Sequence, residues 1–235
     1  MVEYTNRCVI KMFDIAEELI RAEAIDYIND KLEIEISENY KDIRVELINY
    51  SDNDIAFNNL VARLNRKFAQ YIYADSDITL EKCLVDTLTE KGKFISVAES
   101  LTGGKIASRI VGVSGASNVF YEGIVSYNPG AKVRRLHVPL QIINKSGTVN
   151  IDVARAMVLG LFDNKEIDFA FSTTGIAGPL SDEFNTPVGR VYIGFGDRKY
   201  IEVNELNLTG SREDIRETTV NYALFFMLRY INKYN

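Results

Sequence analysis

The chain has 235 residues, of which 46% are hydrophobic and 26% charged, and its formal net charge is −6. This composition predicts a globular protein with a sizeable core and argues against disorder over most of the chain. The acidic balance argues against nucleic acid as a partner, and no apolar run approaches the roughly 20 residues of a membrane-spanning helix. The amino terminus lacks the apolar core of a signal peptide, so a cytoplasmic location is expected.

The first 77 residues predict a small α+β domain. Alternating apolar and polar residues predict strands over 8–13, 32–36 and 44–50, and apolar residues at helical spacing predict helices over 15–28 and 54–73. No glycine precedes Gly92, so the GXXG clamp that KH domains use to hold nucleic acid is absent. The polar residues 74–77 mark the predicted domain boundary.

Residues 78–235 predict a second, larger domain in which helices and strands alternate. The predicted helices span 80–91, 105–111, 131–137, 153–162 and 211–230. The predicted strands span 94–98, 119–127, 169–173, 188–194 and 200–208. Alternation of this kind is typical of layered sheets, and we expect a layered α/β/α domain with a central mixed sheet.

Cysteine and histidine usage gives little support to a metal site or a disulfide framework. Cys8 and Cys83 lie far apart, no CxxC motif occurs, and His137 is the only histidine of the chain. Both cysteines are therefore interpreted as buried thiols, and neither a metal nor a cofactor is expected.

Ser100 is the first candidate nucleophile, because it follows a short buried strand and precedes a predicted helix. Free N–H groups at the amino terminus of that helix can stabilise an anion beside the serine. A phosphate-binding P-loop does not fit, since Glu99 and Ile106 stand where glycine and Ser or Thr are needed. A dinucleotide-binding fingerprint fails on glycine spacing. A tight strand-to-helix turn without chemistry is the alternative.

A serine nucleophile needs a base to take its proton, and three residues are candidates. His137 lies in a basic helix, where a histidine is more often a surface or capping residue. Lys105 and Lys132 each qualify if desolvation or neighbouring cations lower the lysine pKa. Lys105 is expected to project into solvent, whereas Lys132 begins another helix and could face Ser100 across neighbouring strand ends.

Two later segments can contribute to a ligand site. Residues 173–179 follow a strand, and strand ends converge on the ligand crevice of open α/β sheets. Their backbone amides are candidates for an oxyanion hole, with an ordinary turn as the alternative. Arg212 and Arg216 begin the last predicted helix and can hold a carboxylate or a phosphate, with a solvated helix face as the alternative.

Four motifs occur together in this order: Ala98-Glu-Ser-Leu-Thr-Gly-Gly104; Gly123-Ile-Val-Ser-Tyr127 with Ala131-Lys132; Gly175-Ile-Ala-Gly-Pro179 followed by Pro187-Val-Gly189; and Gly210-Ser-Arg-Glu-Asp-Ile-Arg216. Together they resemble the CinA C-terminal domain family over roughly residues 80–235. Residues 1–77 resemble the small KH-like linker domain that precedes this domain in full-length CinA proteins. The large amino-terminal CinA domain is not represented in the sequence.

The resemblance implies an amidohydrolase that deamidates nicotinamide mononucleotide, or a related amide, through a Ser-Lys acyl-enzyme. It implies Ser100 as nucleophile, Lys132 as base and Tyr127 as a proton relay. Arg212 is the implied phosphate contact, without any metal. The other implied substrate-binding residues are Glu99, Thr102, Gly103, Gly104, Thr174, Gly175, Ala177 and Gly178. A homo-oligomer is suggested by the resemblance and by the apolar last helix.

The chain departs from the family pattern in two loops. Residues 128–130 read Asn-Pro-Gly where the family usually has Ser-Asn-Glu, and residues 180–186 replace a glycine-rich run with a segment that holds Asp182 and Glu183. Acidic side chains there would repel a substrate phosphate. These departures favour an alternative function, that of a catalytically degenerate binding or assembly protein.

Overall fold

The computed structural model describes residues 5–234 and divides the chain into two compact units between Thr79 and Leu80. Residues 1–4 and 235, which the two predicted domains include, lie outside the described residues. Within residues 5–234, no helix is both long and apolar enough to cross a membrane.

The first unit is a four-stranded antiparallel sheet with two helices. Its elements are β1 (Asn6–Phe13), α1 (Glu17–Ala24), β2 (Leu32–Asn39), β3 (Asp42–Asn49), α2 (Ile55–Lys67) and β4 (Ile72–Ala74). The strands pair in the order β2-β3-β1-β4. Inward-facing residues of β1 and β3 pack with apolar residues of both helices to form the core, which includes Ile10, Val45, Ile20 and Leu60.

Both predicted helices of this unit are longer than the observed ones. The prediction that the second helix continues to residue 73 is wrong, because α2 ends at Lys67 and residues 72–74 form β4. Phe68 donates its N–H to Leu64 and closes the helix. The following residues instead pair with β1. Tyr71 lies at helical spacing from the preceding apolar residues, which led to the longer predicted helix. Pairing of the following residues with a distant strand outweighs that local pattern.

The second unit is a layered α/β domain. Its helices are α3 (Leu80–Lys91), α4 (Lys105–Val111), α5 (Pro129–Leu136), α6 (Leu140–Ser146), α7 (Ile151–Leu161) and α8 (Arg212–Tyr234), with one 3-10 turn (Ala116–Asn118). Its strands are β5 (Ile95–Glu99), β6 (Phe120–Val125), β7 (Phe169–Gly175), β8 (Arg190–Asp197) and β9 (Ile201–Asn207).

The five strands form one mixed sheet in the order β6-β5-β7-β8-β9. Strands β6, β5 and β7 run parallel, and β8 and β9 continue the sheet antiparallel. Helices α7 and α8 each pack on β7 and β8. Helices α3 and α4 pack against α8. The predicted α/β fold with a central mixed sheet is confirmed.

Two helices differ from the prediction near the carboxyl ends of the strands. Helix α5 begins at Pro129 instead of residue 131, and α6 was not predicted. Because β6, β5 and β7 are parallel, their carboxyl ends lie at the same edge of the sheet. Ser126 follows β6, Ser100 follows β5, and Gly175 ends β7, so this edge brings together residues from three of the four sequence motifs.

Candidate active site

Ser100 lies directly after β5, at the carboxyl edge of the sheet. Its side chain is in a nearly enclosed position, with 8% of the residue exposed. Its backbone N–H donates to Thr173 O of the neighbouring strand at 3.1 Å. The end of β5 is therefore fixed to β7, and the hydroxyl has a defined position between the strand ends.

Lys132 lies on α5 and reaches the Ser100 hydroxyl. The distance from Lys132 Nζ to Ser100 Oγ is 2.8 Å, and Nζ also donates to Ser126 O at 2.6 Å. The residue is fully buried, and burial lowers the pKa of the Lys132 ammonium from 10.5 to about 8. A lysine in this environment is neutral for part of the time near neutral pH, so it can accept a proton from the serine.

Helix α5 begins in a way that explains the unusual sequence Asn128-Pro129-Gly130. The Asn128 side chain accepts the Gly130 N–H at 2.8 Å and caps the helix, while Pro129 occupies its first turn. Proline has no N–H to leave unpaired at this position. This departure from the family pattern therefore starts the helix that carries Lys132.

The Glu99 carboxylate is fully buried and binds the amino terminus of α4. It accepts N–H groups from Gly104 at 2.9 Å, Ile106 at 3.2 Å and Ala107 at 2.9 Å. These amides have no partner within the helix, and the helix dipole favours a negative charge there. Both carboxylate oxygens therefore hold the start of α4, and a contact of Glu99 with substrate stays a prediction.

Two predicted substrate-binding threonines use their hydroxyls to join elements of the fold. Thr102 Oγ1 and Thr173 Oγ1 form a hydrogen bond of 2.8 Å, and Thr174 Oγ1 donates to Thr148 O at 2.7 Å. Both threonines are fully buried. Their side chains hold the loops around Ser100 in place.

Five further predicted residues offer backbone groups. Gly103, Gly104 and Gly178 have φ angles of 62°, 94° and 84°, which few other residues adopt. Gly175 lies against the backbone of β8, where a Cβ would meet a carbonyl oxygen at 2.8 Å. Ala177 is buried. Together they form two tight loops at the ends of β5 and β7.

Tyr127 and Arg212 form an exposed pair at the rim of the site. Arg212 Nη1 donates to Gly178 O at 2.5 Å, and Nη2 donates to Tyr127 Oη at 3.3 Å. The first residue of α8 therefore links the loop after β7 to the segment between β6 and α5. Arg212 keeps its guanidinium at the surface, where a ligand can reach it.

The two rival candidates for the base are occupied elsewhere. Lys105 Nζ lies 2.7 Å from Glu213 and 2.5 Å from Glu217, and the hydrogen bond to Glu213 is the main cause that raises the pKa of Lys105. His137 caps the carboxyl end of α5 at the surface, where its Nε2 lies 3.2 Å from Asp163 Oδ2. Of the three candidates, Lys132 alone contacts Ser100.

Asp182 organises the altered loop 180–186 from within. Its Oδ1 accepts the N–H of Phe184 at 3.1 Å and that of Thr186 at 2.8 Å, while Oδ2 accepts the Thr186 hydroxyl at 3.0 Å. The neighbouring Glu183 is exposed. Of the two acidic side chains predicted to repel a phosphate, one is therefore used by the loop itself.

Sequence reasoning did not identify two contacts of this site. The carbonyl of Ser126 is one of the two acceptors of Lys132 Nζ. Its place in the motif Gly123-Ile-Val-Ser-Tyr127 was the only available signal. Arg216 was noted as an anion ligand, but its Nε donates to Leu101 O at 3.0 Å and its Nη2 to Thr102 O at 3.1 Å. The guanidinium therefore holds the loop that follows the nucleophile.

Residues 77–231 match the model of the CinA C-terminal domain family. A putative competence-damage inducible protein of Caldicellulosiruptor saccharolyticus is 34% identical over 232 residues, covering 96% of this chain and 56% of that protein. A CinA-like protein of Dictyoglomus thermophilum is 40% identical over 170 residues, covering 72% of this chain and 41% of that protein. The chain thus spans about half the length of these curated relatives.

Among solved structures, the competence/damage inducible protein CihA of Agrobacterium tumefaciens is similar in both fold and sequence. It has a TM-score of 0.62 and 31% sequence identity, and the match covers 66% of this chain and 94% of that one. A CinA superfamily protein of Klebsiella pneumoniae 700603 has a TM-score of 0.64 at 24% identity and agrees in fold.

Proposed function

The chain belongs to the CinA C-terminal domain family, and we propose that it is an amidohydrolase in which Ser100 is the nucleophile and Lys132 the general base. The observation that carries the proposal is the distance of 2.8 Å between Lys132 Nζ and Ser100 Oγ, inside a buried site where the lysine pKa is lowered. No other lysine contacts this serine among the described residues.

The reaction begins when neutral Lys132 takes the proton of Ser100 and Oγ attacks the carbonyl carbon of a carboxamide. The carbonyl electron pair moves onto oxygen, and backbone N–H groups stabilise this oxyanion. Collapse of the intermediate breaks the C–N bond, and the proton held by Lys132 passes to the departing nitrogen, which leaves as ammonia. Water then adds to the ester with Lys132 again as base, and a carboxylic acid and free Ser100 result.

The substrate class we propose is nicotinamide mononucleotide or a related amide, as family membership implies. Arg212 supports this choice because its guanidinium lies at the surface of the site, where it can hold a phosphate. Tyr127, which accepts from Arg212, stands at the same rim as the proposed proton relay. Gly103, Gly104 and the loop 175–178 would line the pocket through their backbones.

A catalytically degenerate binding or assembly protein is the second candidate. The exposed carboxylate of Glu183 favours it, since a negative charge on this loop repels a phosphate. We also propose that residues 1–77 form the KH-like linker domain of CinA proteins, and that the protein is cytoplasmic and homo-oligomeric.

The proposed activity is tested by incubating the purified chain with nicotinamide mononucleotide and measuring ammonia and the carboxylate product. Added hydroxylamine should divert the acyl-enzyme to a hydroxamate at the expense of the carboxylate. Binding of the nucleotide without ammonia release would reject the enzyme and support the binding protein. Ammonia release without any hydroxamate would argue against an acyl-enzyme.

A further inference from the structure

The loop that follows the nucleophile is held from outside by Arg216 of α8. Two of its guanidinium nitrogens donate to the carbonyl oxygens of Leu101 and Thr102, and the third, Nη1, donates to Glu213 Oε2 at 2.9 Å. The side chain is 23% exposed, so these bonds form largely away from water. All three nitrogens therefore have a fixed partner, and two of these partners lie immediately after Ser100.

The backbone N–H groups of this loop divide into two sets. Those of Ser100, Gly103 and Gly104 donate to Thr173 O, Ser100 O and Glu99 Oε2. Those of Leu101 and Thr102 have no acceptor among residues 5–234, although these residues are only 3% and 0% exposed. A buried N–H without an acceptor is unfavourable, so a pair of them beside a nucleophile points to an oxygen supplied by a ligand.

The carbonyl contacts determine where these two amides point. In a trans peptide the N–H lies opposite the preceding C=O. Arg216 holds Leu101 O and thereby directs the Thr102 N–H to the other side of the loop. The hydrogen bond from Gly103 N–H to Ser100 O, at 3.1 Å, holds the Ser100 carbonyl. The Leu101 N–H, which lies opposite that carbonyl, is thereby directed away from Gly103. In serine hydrolases the amide that follows the nucleophile is a recurrent oxyanion donor.

We propose that the Leu101 and Thr102 amides bind the oxyanion of the tetrahedral intermediate, and that Arg216 is the positioning residue that keeps them oriented. The inference rests on the proposed role of Ser100. It assigns the ligand of these amides as a negatively charged oxygen on the carbon that Ser100 attacks. It also gives α8 a part in catalysis without contact between Arg216 and substrate.

The amides of Ala177 and Gly178 are the rival donors, because they also lack an acceptor among the described residues. They lie in the loop after β7, whose contact with α8 is made by Arg212 and not by Arg216. A change at Arg216 therefore disturbs the first pair of amides and leaves the second pair unchanged.

The test uses a fluorophosphonate, which reports on the nucleophile without requiring the true substrate. Ser100 Oγ forms a bond to phosphorus, fluoride leaves with the P–F electron pair, and the serine proton passes to Lys132. The phosphoryl oxygen occupies the oxyanion site during this step. The labelling rate, followed by intact-protein mass spectrometry, therefore depends on the oriented amides.

We expect Arg216→Gln to lower the labelling rate by at least about 10-fold, since loss of one oxyanion donor costs about 100-fold or more. Arg216→Lys, which can reach only one carbonyl, should fall between this variant and the wild type. Guanidinium ion at low concentration should restore part of the rate in Arg216→Ala. The pH dependence of labelling should be unchanged, because Lys132 is not affected.

Arg109→Gln is the matched control. Arg109 also joins α4 to neighbouring helices, through Glu81 at 2.6 Å and Asn221 at 2.5 Å, but it contacts no residue of the loop after Ser100. This variant should label at the wild-type rate. Equal rates for Arg216→Gln and wild type, or equal losses in the two arginine variants, would overturn the inference. A wild-type chain that is never labelled at Ser100 would instead overturn the proposed nucleophile, and the oxyanion site with it.

Discussion

Replacing Lys132 with methionine should change how the stability of the protein depends on pH. Burial lowers the pKa of Lys132 from 10.5 to about 8, and each pKa unit corresponds to about 1.4 kcal/mol. Between these two values the unfolded chain binds more protons than the folded one, so folding becomes more favourable as the pH rises. The contribution of Lys132 to the free energy of unfolding is complete above pH 10.5 and is lost as the pH falls to about 8. Its total is about 3 kcal/mol.

Methionine fills a similar volume without a charge, so the variant lacks this dependence. The free energy of unfolding, wild type minus Lys132→Met, should therefore increase by about 1.4 kcal/mol per pH unit from about pH 8 to pH 10.5 and then level off. Urea denaturation followed by far-ultraviolet circular dichroism measures it. Lys105→Met is the control. The pKa of Lys105 is raised by its carboxylate partners, so the contribution of Lys105 to the free energy of unfolding stays constant below pH 10.5.

A difference between wild type and Lys132→Met that stays constant from neutral to alkaline pH would refute the lowered pKa. A difference that decreases with pH would show that Lys132 is stabilised as a cation. Either result would remove the physical basis for lysine as the general base.

Three further predictions concern the site. The value of kcat/KM for ammonia release should increase with pH through about 8 and then level off, because Lys132 must be neutral; a pH-independent value would contradict this. Glu99→Gln should lower the free energy of unfolding by about 1–3 kcal/mol in urea titrations, with KM unchanged, because the Glu99 carboxylate accepts three N–H groups at the start of α4. Gly160→Ala should lower kcat by about 10-fold or more, since a Cβ there overlaps with the Leu136 carbonyl of α5 and displaces Lys132; full activity would contradict it.

The candidate nucleophile and the candidate bases could be named from the sequence because their signals are local. Ser100 follows a short apolar strand, and Lys132 follows another, so parallel pairing brings the two together at one edge. The choice between Lys132 and Lys105 needed the structure. It depends on which lysine is desolvated and which lies beside Glu213 and Glu217, on a helix more than a hundred residues away.

Other features could not be predicted because they depend on distant contacts. Strand β4 exists through pairing with β1, and the role of Arg216 depends on two carbonyl groups far away in sequence. Glu99 is different, since its partners lie in the helix that follows. An acidic residue just before a helix commonly binds its amino-terminal N–H groups, and this interpretation was available from the sequence.

Ammonia release from nicotinamide mononucleotide by the wild type and by Ser100→Ala, compared at a pH above 8, tests the central claim most directly. We expect release by the wild type and a decrease of at least about 1,000-fold in the variant, because the nucleophile is missing while Lys132 and the fold are retained. Release at the same rate in Ser100→Ala, or none in the wild type, would contradict it.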